Sequence, residues 1–282
     1  MISVDLIYVV IVLYKTNLED SLSYISLKAS LKKYGAKMNL MVYDNSPSIY
    51  TTIKSDEFNI KYIADYKNSG VSIAYNTAFQ YALKTKCEYM LLLDQDTNLN
   101  IDFVENTVSA LDSNSDLIMP LLVDENKNII SPCRYRFGRG AHVNLNQFNE
   151  GLNSLHGINF LNSGSLISTE LFSRVGGYQL DLPLYFSDFN FFNRAKSFTD
   201  IFYLSKNVCV HSLSSDNYDN IEEAERRFKF YALGALKCYT SWLMKFVMFL
   251  NVLLRSLKMY FRTKSFVFTK ITIKVFFNEN PT

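Results

Sequence analysis

The chain has 282 residues, of which 48% are hydrophobic and 20% charged, with 10 Gly and 5 Pro. This composition is typical of a packed globular protein and excludes a disordered, collagen-like or linker-rich chain. The charge is unevenly distributed, because residues up to Glu225 hold 18 Lys and Arg against 26 Asp and Glu, whereas residues from Arg226 onward hold 11 against 1. An acidic body therefore carries a basic tail, and the acidic body argues against nucleic acid as a partner.

The cysteines and the N-terminus both indicate the cellular setting. Cys87, Cys133, Cys209 and Cys238 lie far apart and form no Cys-x-x-Cys pair. This spacing favours a reducing, cytoplasmic protein without a disulfide framework or a structural zinc site. The apolar run Leu6–Tyr14 follows Asp5 and precedes no small-residue cleavage site, so it is expected to be a buried strand and not a signal peptide.

Strands and helices alternate through the first hundred residues. The predicted strands are Leu6–Leu13, Met38–Tyr43, Ile60–Ile63 and Tyr89–Leu93. A helix with apolar spacing from Leu18 to Leu31 ends near Gly35, and a second covers about Ser72–Lys84. This alternation predicts an α/β protein with a doubly wound sheet that binds ligands at the carboxyl ends of its strands.

Beyond residue 100 the alternation weakens, which predicts an α+β continuation of the same domain. Strands are expected within Leu117–Val123, Ile158–Ser168 and Ile201–Leu204, and helices at Thr169–Val175, Asp188–Lys196, Glu222–Cys238 and Trp242–Arg262. The β-branched, basic stretch Ser265–Phe277 that follows is left without an assignment.

Two carboxylates, Asp94 and Asp96, follow the fourth predicted strand. Carboxylates at such a strand end converge on the ligand crevice, and hard oxygen ligands suit Mg²⁺ or Mn²⁺ bridging a diphosphate. A solvated turn after a strand explains an isolated Asp-x-Asp about as well.

Three other segments should meet the carboxylates in that crevice. They are Tyr14–Asn17, Asp44–Ser46 and Asn68–Gly70. Asp44 could accept a hydrogen bond from a pyrimidine N3–H, and Gly70 permits close backbone approach at a helix N-terminus that favours anions. Asx-turns at strand ends account for Asp44 and Asn68 equally well.

Six segments, taken in order, resemble those of a known family. They are "VVIVLYKTN", "VYDNSP", "NSGVSIAYNTAFQYA", "YMLLLDQDT", "FLNSGSLISTELFSRVGGYQLDLPLYFSDFNFFNRA" and "VCVHS". Together they resemble the family 2 glycosyltransferases, most closely the rhamnosyltransferase-like branch of bacterial surface polysaccharide synthesis, such as that of O-antigen.

The resemblance implies the GT-A fold, with a doubly wound mixed sheet and a C-terminal helical extension. The catalytic domain is expected over residues 1–220, with a nucleotide-binding half at about 1–100 and an acceptor-side half at about 101–220. A basic, amphipathic extension is expected over residues 221–282.

The resemblance also assigns roles to residues that match the family's motifs. The implied donor-binding residues are Tyr14, Asp44, Asn68, Gly70, Asp94, Asn162, Ser163 and Gly164. The implied ligands of a divalent cation, Mg²⁺ or Mn²⁺, are Asp96, Asp94 and His211. The implied catalytic base is Asp188, although the family usually has an acidic pair there and Asn190 takes the place of one acid. Two alternatives stay open, namely a capping role for Asp188 and catalysis by Asp181.

The expected activity is that of an inverting, metal-dependent transferase that moves rhamnose from dTDP-rhamnose to a glycan or polyprenyl-linked acceptor. The alternatives are a galactosyl- or glucosyltransferase of the same fold that uses a UDP-sugar, and a non-catalytic nucleotide-sugar-binding protein at a membrane surface. The second alternative is raised by Asn190 in place of an acid.

The basic tail suggests where the protein resides. Trp242–Phe261 is about long enough to span a bilayer, but charges interrupt it, and each central charge costs roughly 2.5–3.5 kcal/mol. A helix with a stripe of Asn251, Arg255, Lys258 and Arg262 is expected instead to lie on an anionic membrane. The predicted location is therefore cytoplasmic and peripheral on the inner face of the cell membrane. A core-packing helix and a homodimer contact are the alternatives.

Overall fold

The computed structural model describes residues 4–48, 54–136, 139–141, 143, 148–212, 221–239 and 241–277. Its strands are β1 (Ile7–Leu13), β2 (Met38–Asp44), β3 (Phe58–Ala64), β4 (Tyr89–Asp94), β5 (Thr97–Asn98), β6 (Leu117–Val123), β7 (Ile129–Ser131), β8 (Cys133–Arg136), β9 (Arg139–Ala141), β10 (Gly151–Ser154), β11 (Ile158–Asn159), β12 (Ser165–Ser168) and β13 (Ile201–His211). Its α-helices are α1 (Leu22–Tyr34), α2 (Val71–Lys84), α3 (Phe103–Leu111), α4 (Thr169–Val175), α5 (Ser187–Ala195), α6 (Ile221–Lys237), α7 (Trp242–Thr263) and α8 (Val267–Phe277).

One mixed sheet organises the body of the protein. Its strand order is β10-β13-β6-β12-β4-β1-β2-β3, with β5 added beside β13 and β7 beside β6. The strands β3, β2, β1 and β4 are parallel, and β12 runs antiparallel between β4 and β6. The carboxyl ends of β1 and β4 therefore lie side by side, and ligands bind at such an edge in doubly wound folds.

Helices cover both faces of this sheet. Strand β1 is buried at every position, as expected of a continuous apolar run in the middle of a parallel sheet. Tyr75 of α2 and Phe172 of α4 belong to the apolar cluster on one face of the sheet. Leu27 of α1 and Phe103 of α3 belong to the apolar cluster on the other face. The two apolar layers hold the strand ends, and the side chains that follow them, in fixed positions.

The predicted strands and helices of the first hundred residues are present, whereas the second half differs in detail. The run expected over Ile158–Ser168 is divided into β11 and β12 by a turn in which the Ser165 N–H donates to the Asn162 carbonyl. Strand β13 continues seven residues past its predicted end, to His211. Helix α3 was absent from the prediction.

The C-terminal residues form helices α6, α7 and α8, which pack around a third apolar cluster. This cluster joins the body at Phe186, and α6 approaches the preceding residue closely because a Cβ on Gly234 would lie 2.6 Å from the Tyr185 carbonyl oxygen. The basic stripe expected on α7 is only partly formed, because the Arg255 guanidinium lies 4.3 Å from the Tyr231 ring centre. No helix in the described part of the chain is long and apolar enough to cross a membrane.

Candidate active site

A cavity of about 440 Å³ opens where β1, β2 and β4 end. Six of the residues expected at the donor or metal site line it, namely Tyr14, Asn68, Gly70, Asp94, Asp96 and His211. The turns after β1 and β4 are tied together by a hydrogen bond of 2.8 Å from the Tyr14 N–H to Gln95 Oε1. A cavity of this volume accommodates a small-molecule ligand of nucleotide size.

Asp94 is held rigidly at the end of β4. Its backbone N–H donates to Ser163 Oγ at 3.0 Å, and its Oδ1 accepts from the Tyr75 hydroxyl at 3.0 Å. The Ser23 hydroxyl also donates to its carbonyl oxygen. These bonds orient the carboxylate before any ligand arrives.

Asp96 is a carboxylate of the cavity whose buried charge is poorly compensated by hydrogen bonds. Its Oδ1 is buried without a hydrogen-bond partner, and Nδ1 of the His211 ring lies 3.5 Å away. Burial, and secondly the charge of Asp94, raise the pKa of Asp96 above its usual range. A buried, partnerless carboxylate oxygen next to a second carboxylate is an environment that a cation stabilises.

His211 lies at the end of β13, where the chain pairs with β5. Its Nδ1 is 2.7 Å from Thr97 Oγ1, a hydrogen bond that fixes the orientation of the ring. Thr97 in turn contacts Ser163, with 2.6 Å between the two hydroxyl oxygens. The ring therefore lies beside Asp96 with one nitrogen already engaged.

The carboxylates fit a hard divalent cation, but they do not enclose one. In the described residues, no group of three or more His, Cys, Asp or Glu side chains is arranged to hold a metal ion. The expected set of Asp94, Asp96 and His211 therefore does not form a closed protein cage, partly because Tyr75 occupies Asp94 Oδ1. Such an open arrangement leaves coordination positions for ligand oxygens and water, as magnesium sites commonly do.

The end of β2 differs from the expectation that Asp44 contacts the ligand. Asp44 is 1% exposed and does not line the cavity; its Oδ1 accepts from the Ser46 N–H at 2.9 Å, and its Oδ2 accepts from the Tyr62 hydroxyl. The neighbouring Asn45 does line the cavity, and its Oδ1 is buried without a hydrogen-bond partner. Asn45 thus offers the unused acceptor at this strand end.

Gly70 is required by a close approach between two chain segments. Its φ is +96°, and a Cβ there would lie 2.1 Å from the Pro183 carbonyl oxygen. That oxygen accepts from the Val71 N–H at 2.8 Å, so the first N–H of α2 serves the protein and not an anion. Gly70 therefore joins the cavity to the segment that precedes α5.

The residues expected to face the sugar lie behind the cavity. Asn162, Ser163 and Gly164 are buried and do not line it; Asn162 Oδ1 accepts from the Tyr178 hydroxyl at 2.6 Å. Gly164 has φ +80°, and a Cβ there would lie 2.7 Å from Pro120 Cγ. The structure places this segment as a support for Asp94.

Asp188 lies in the first turn of α5 and keeps partial exposure. Its Oδ1 accepts from the Phe189 N–H at 2.7 Å. Burial, opposed by backbone hydrogen bonds and aided by the nearby charge of Asp94, raises the pKa of Asp188 to about 7. Asp188 does not line the cavity itself but is close enough to Asp94 for their charges to interact.

The two alternatives for this segment are placed differently. Asp181 forms an exposed ion pair with Lys237, with 3.5 Å between Oδ2 and Nζ, and does not line the cavity. Asn190, which stands where an acid was expected, accepts at 2.9 Å from Arg194 Nε. Arg194 also donates to the Val175 and Gly177 carbonyls, each at 2.6 Å, so this pair stabilises the end of α4.

One wall of the cavity comes from α6, which the sequence assigned to the extension. Glu223, Arg226, Arg227 and Phe230 line the cavity. Arg226 donates to the Tyr14 hydroxyl, and Glu223 pairs with Lys15 at 3.6 Å. The sequence predicted this helix at Glu222–Cys238, but only the change in charge at Arg226 set it apart from the other helices, and nothing local placed it at the cavity.

Comparisons with known proteins show which sequences and folds this chain resembles. Residues 26–161 match the model of Glycosyl transferase family 2. A dTDP-rhamnosyl transferase, RfbF of Shigella flexneri, is 25% identical over 172 residues, which are 60% of this chain and 56% of that protein. The chain thus aligns with little more than half the length of this curated relative.

Solved structures show the same fold. The crystal structure of S. aureus TarS 1-349 has a TM-score of 0.54 at 15% identity and covers 95% of this chain and 78% of that one. The same protein in complex with UDP-GlcNAc gives 0.51 at 16% identity, with 95% and 81% covered. These are glycosyltransferases of the GT-A type, so the expected fold class is confirmed. The chain therefore has the GT-A fold, matches the Glycosyl transferase family 2 model over residues 26–161 and is similar to a dTDP-rhamnosyl transferase.

Proposed function

We propose that the chain transfers a sugar from a nucleoside diphosphate to a glycan hydroxyl, with inversion at the anomeric carbon. The observation that carries the proposal is the cavity in which Asp94 and Asp96 lie at the end of β4, with Asp188 and its pKa of about 7 nearby. A carboxylate with a pKa near neutrality is suited to accept a proton at physiological pH.

Asp188 acts as the base. Its carboxylate takes the proton of the acceptor hydroxyl, the acceptor oxygen forms a bond to the anomeric carbon, and the bond from that carbon to the diphosphate oxygen breaks. The nucleoside diphosphate leaves with the electron pair of the broken bond. Tyr75 and Ser163 support this step by holding Asp94 against the donor.

Asp94 and Asp96 would hold the divalent cation, with His211 beside them. Mg²⁺ or Mn²⁺ bound there supplies positive charge to the diphosphate leaving group. His211 is oriented by Thr97, so that its second ring nitrogen is the one left for a ligand. Asn45 and Asp44 form the base-reading element, in which Asp44 fixes the turn and Asn45 Oδ1 accepts from the pyrimidine N3–H.

Rhamnose carried by dTDP is the proposed donor, and it is supported by the likeness to a dTDP-rhamnosyl transferase. A UDP-linked galactose or glucose is the second candidate, favoured by the shared fold with a protein solved in complex with UDP-GlcNAc. A non-catalytic nucleotide-sugar binder is the remaining candidate.

A panel of nucleotide sugars tests these candidates through thermal unfolding with and without Mn²⁺. We expect dTDP-rhamnose to raise the melting temperature most, since a ligand at about 100 times its Kd stabilises by about 2.7 kcal/mol. Release of dTDP in the presence of a glycan acceptor distinguishes the enzyme from a binder. If none of the nucleotide sugars changes the unfolding temperature, the proposed function is wrong.

We further propose that α7 lies on the inner face of the cell membrane, where a polyprenyl-linked acceptor is met. Seven large apolar side chains of α7 are exposed, namely Trp242, Leu243, Phe246, Leu250, Leu254, Leu257 and Phe261. At 100° per residue they form one continuous stripe, and the exposed Lys245 and Lys258 flank it on either side. An apolar face with basic flanks is the arrangement of interfacial helices on anionic lipid.

A homodimer through this stripe is the competing arrangement. From Arg226 to Phe277 the chain has 11 Lys and Arg and no Asp or Glu, so a second copy would bring like charges together. An anionic bilayer instead complements this charge. The proposal therefore favours lipid over a twin subunit.

Vesicle binding checks this proposal. We expect the triple change Phe246→Ser, Leu254→Ser and Phe261→Ser to weaken co-sedimentation with phosphatidylglycerol vesicles at least about tenfold, because apolar area is lost from the bilayer. The matched control replaces Leu152 and Leu180, which are 60% and 61% exposed outside α7, and should bind normally. Vesicle binding retained by the triple variant would contradict lipid docking. A dimer of the unsubstituted protein that is lost in the triple variant would also contradict it.

A further inference from the structure

The C-terminal helix α6 presents one side to the cavity. Its lining residues Glu223, Arg226, Arg227 and Phe230 are spaced by three, one and three positions, which places them together on one side of the helix. The apolar residues Phe228 and Ala232 on its other side belong to the C-terminal core. The cavity wall is therefore built from a helix that is anchored from behind.

The wall differs in charge from the strand ends that it faces. The strand side carries Asp94 and Asp96. Arg226 and Arg227 lie on the α6 side, and no other Lys or Arg is found among the described residues that line the cavity. Glu223 is offset by Lys15, whose Nζ lies 3.6 Å from its Oε2. The α6 wall thus presents two guanidinium groups to any ligand in the cavity.

The present partners of these guanidinium groups include two phenols. Arg226 donates from Nη2 to the Tyr14 hydroxyl. Its guanidinium carbon Cζ also lies over the Tyr14 ring, 5.5 Å from the ring centre. Arg227 Nε donates to the Tyr185 hydroxyl at 3.3 Å. Phosphate oxygens are stronger acceptors than neutral phenols, and guanidinium groups bind them with two parallel hydrogen bonds.

We propose that Arg226 and Arg227 bind the diphosphate of the donor, an inference that rests on the proposed donor site. Their charges oppose the negative charge that collects on the nucleoside diphosphate as the bond to the anomeric carbon breaks. The donor site then includes residues beyond 220, and the expected catalytic boundary at that position separates two halves of one site.

Direct binding of dTDP and UDP to the full chain tests this assignment by calorimetry at a fixed Mn²⁺ concentration. We expect Arg226→Gln and Arg227→Gln each to raise the Kd of the diphosphates about tenfold to a hundredfold, since charged hydrogen bonds are lost. Lys229→Gln makes the same change of charge on the exposed side of α6 and should leave Kd unchanged. Arg226→Lys should recover part of the loss.

Thymidine and uridine provide the second measurement. Their affinity should be the same in all variants, because they lack phosphate. Unchanged Kd for the diphosphates in both Arg variants, an equal loss in Lys229→Gln, or an equal loss for the nucleosides would each overturn the assignment. If the unsubstituted chain binds neither diphosphate, the donor proposal itself fails, which is a distinguishable result.

Discussion

Asp188→Asn is expected to lower kcat by about a hundredfold to ten-thousandfold, the usual contribution of a general base. In the unsubstituted protein, kcat/KM should rise tenfold per pH unit in the acidic range and level off above about pH 7, since burial raises the pKa of Asp188 to about 7. The rising limb should be absent from the residual activity of the variant. Initial rates of nucleoside diphosphate release between pH 5 and 9 give both measurements.

Asp181→Asn is the matched control. It makes the same chemical change in the same segment, but Asp181 is exposed, is paired with Lys237 and lies outside the cavity lining. We expect its kcat and pH profile to stay within about twofold, because exposed ion pairs contribute little. A large loss in this variant together with a normal Asp188→Asn would exchange the two roles.

Unfolding provides a test of the Asp188 pKa that is independent of activity. The folded state holds this proton more tightly than the unfolded chain, in which the pKa is near 3.8, so the contribution of Asp188 to stability falls as the pH rises from 3.8 to about 7. Asp188→Asn removes the ionised, poorly solvated group. The variant should therefore melt at a higher temperature than the unsubstituted protein at pH 8, and the difference should disappear below about pH 4.

Asp96→Asn is expected to lower kcat about a thousandfold, because a divalent cation at a leaving group stabilises the charge of the transition state by several kcal/mol. Adding Mn²⁺ to the dTDP complex should raise the melting temperature of the unsubstituted protein further but should leave that of the variant with dTDP unchanged. Without metal the variant should be the more stable protein near neutral pH, since burial and Asp94 raise the pKa of Asp96 and its ionised form is costly.

Asp112→Asn serves as the control for this change, since Asp112 is exposed at the end of α3. It should retain activity and the response to Mn²⁺. Full activity of the unsubstituted protein after chelation with EDTA would contradict a role for a cation and would leave the guanidinium groups of α6 as the source of positive charge.

The first half of the fold was predictable because its signals are local. Strand β1 is a short apolar run with β-branched residues, and α1 ends at Gly35 in the left-handed conformation with φ +77°. The Ser265–Phe277 stretch is rich in β-branched residues, yet it forms α8, because Phe268, Thr272 and Val275 recur at helical spacing and are buried against the other C-terminal helices. Tertiary packing overrides intrinsic propensity in such segments.

The candidate site was predictable where a motif marks a strand end. Asp94 and Asp96 follow an apolar strand, and the topology brings them to Tyr14 and Asn68. The role of Asn45 was not foreseen, because which of two adjacent polar residues lines a cavity depends on side-chain hydrogen bonds such as the one from Tyr62 to Asp44. Likewise Arg226 lies 212 positions from its partner Tyr14, and no local pattern reports so distant a contact.

The contact between Gly70 and Pro183 limits how the protein can change during evolution. The same short segment that closes on Gly70 leads directly into α5 and Asp188, the proposed base. An insertion or deletion between these two points would move the base relative to the donor, so new acceptor preferences must arise without altering the length of this segment. Homologues that diverge in substrate should therefore vary in length elsewhere, in loops whose length does not affect the distance between the donor and Asp188.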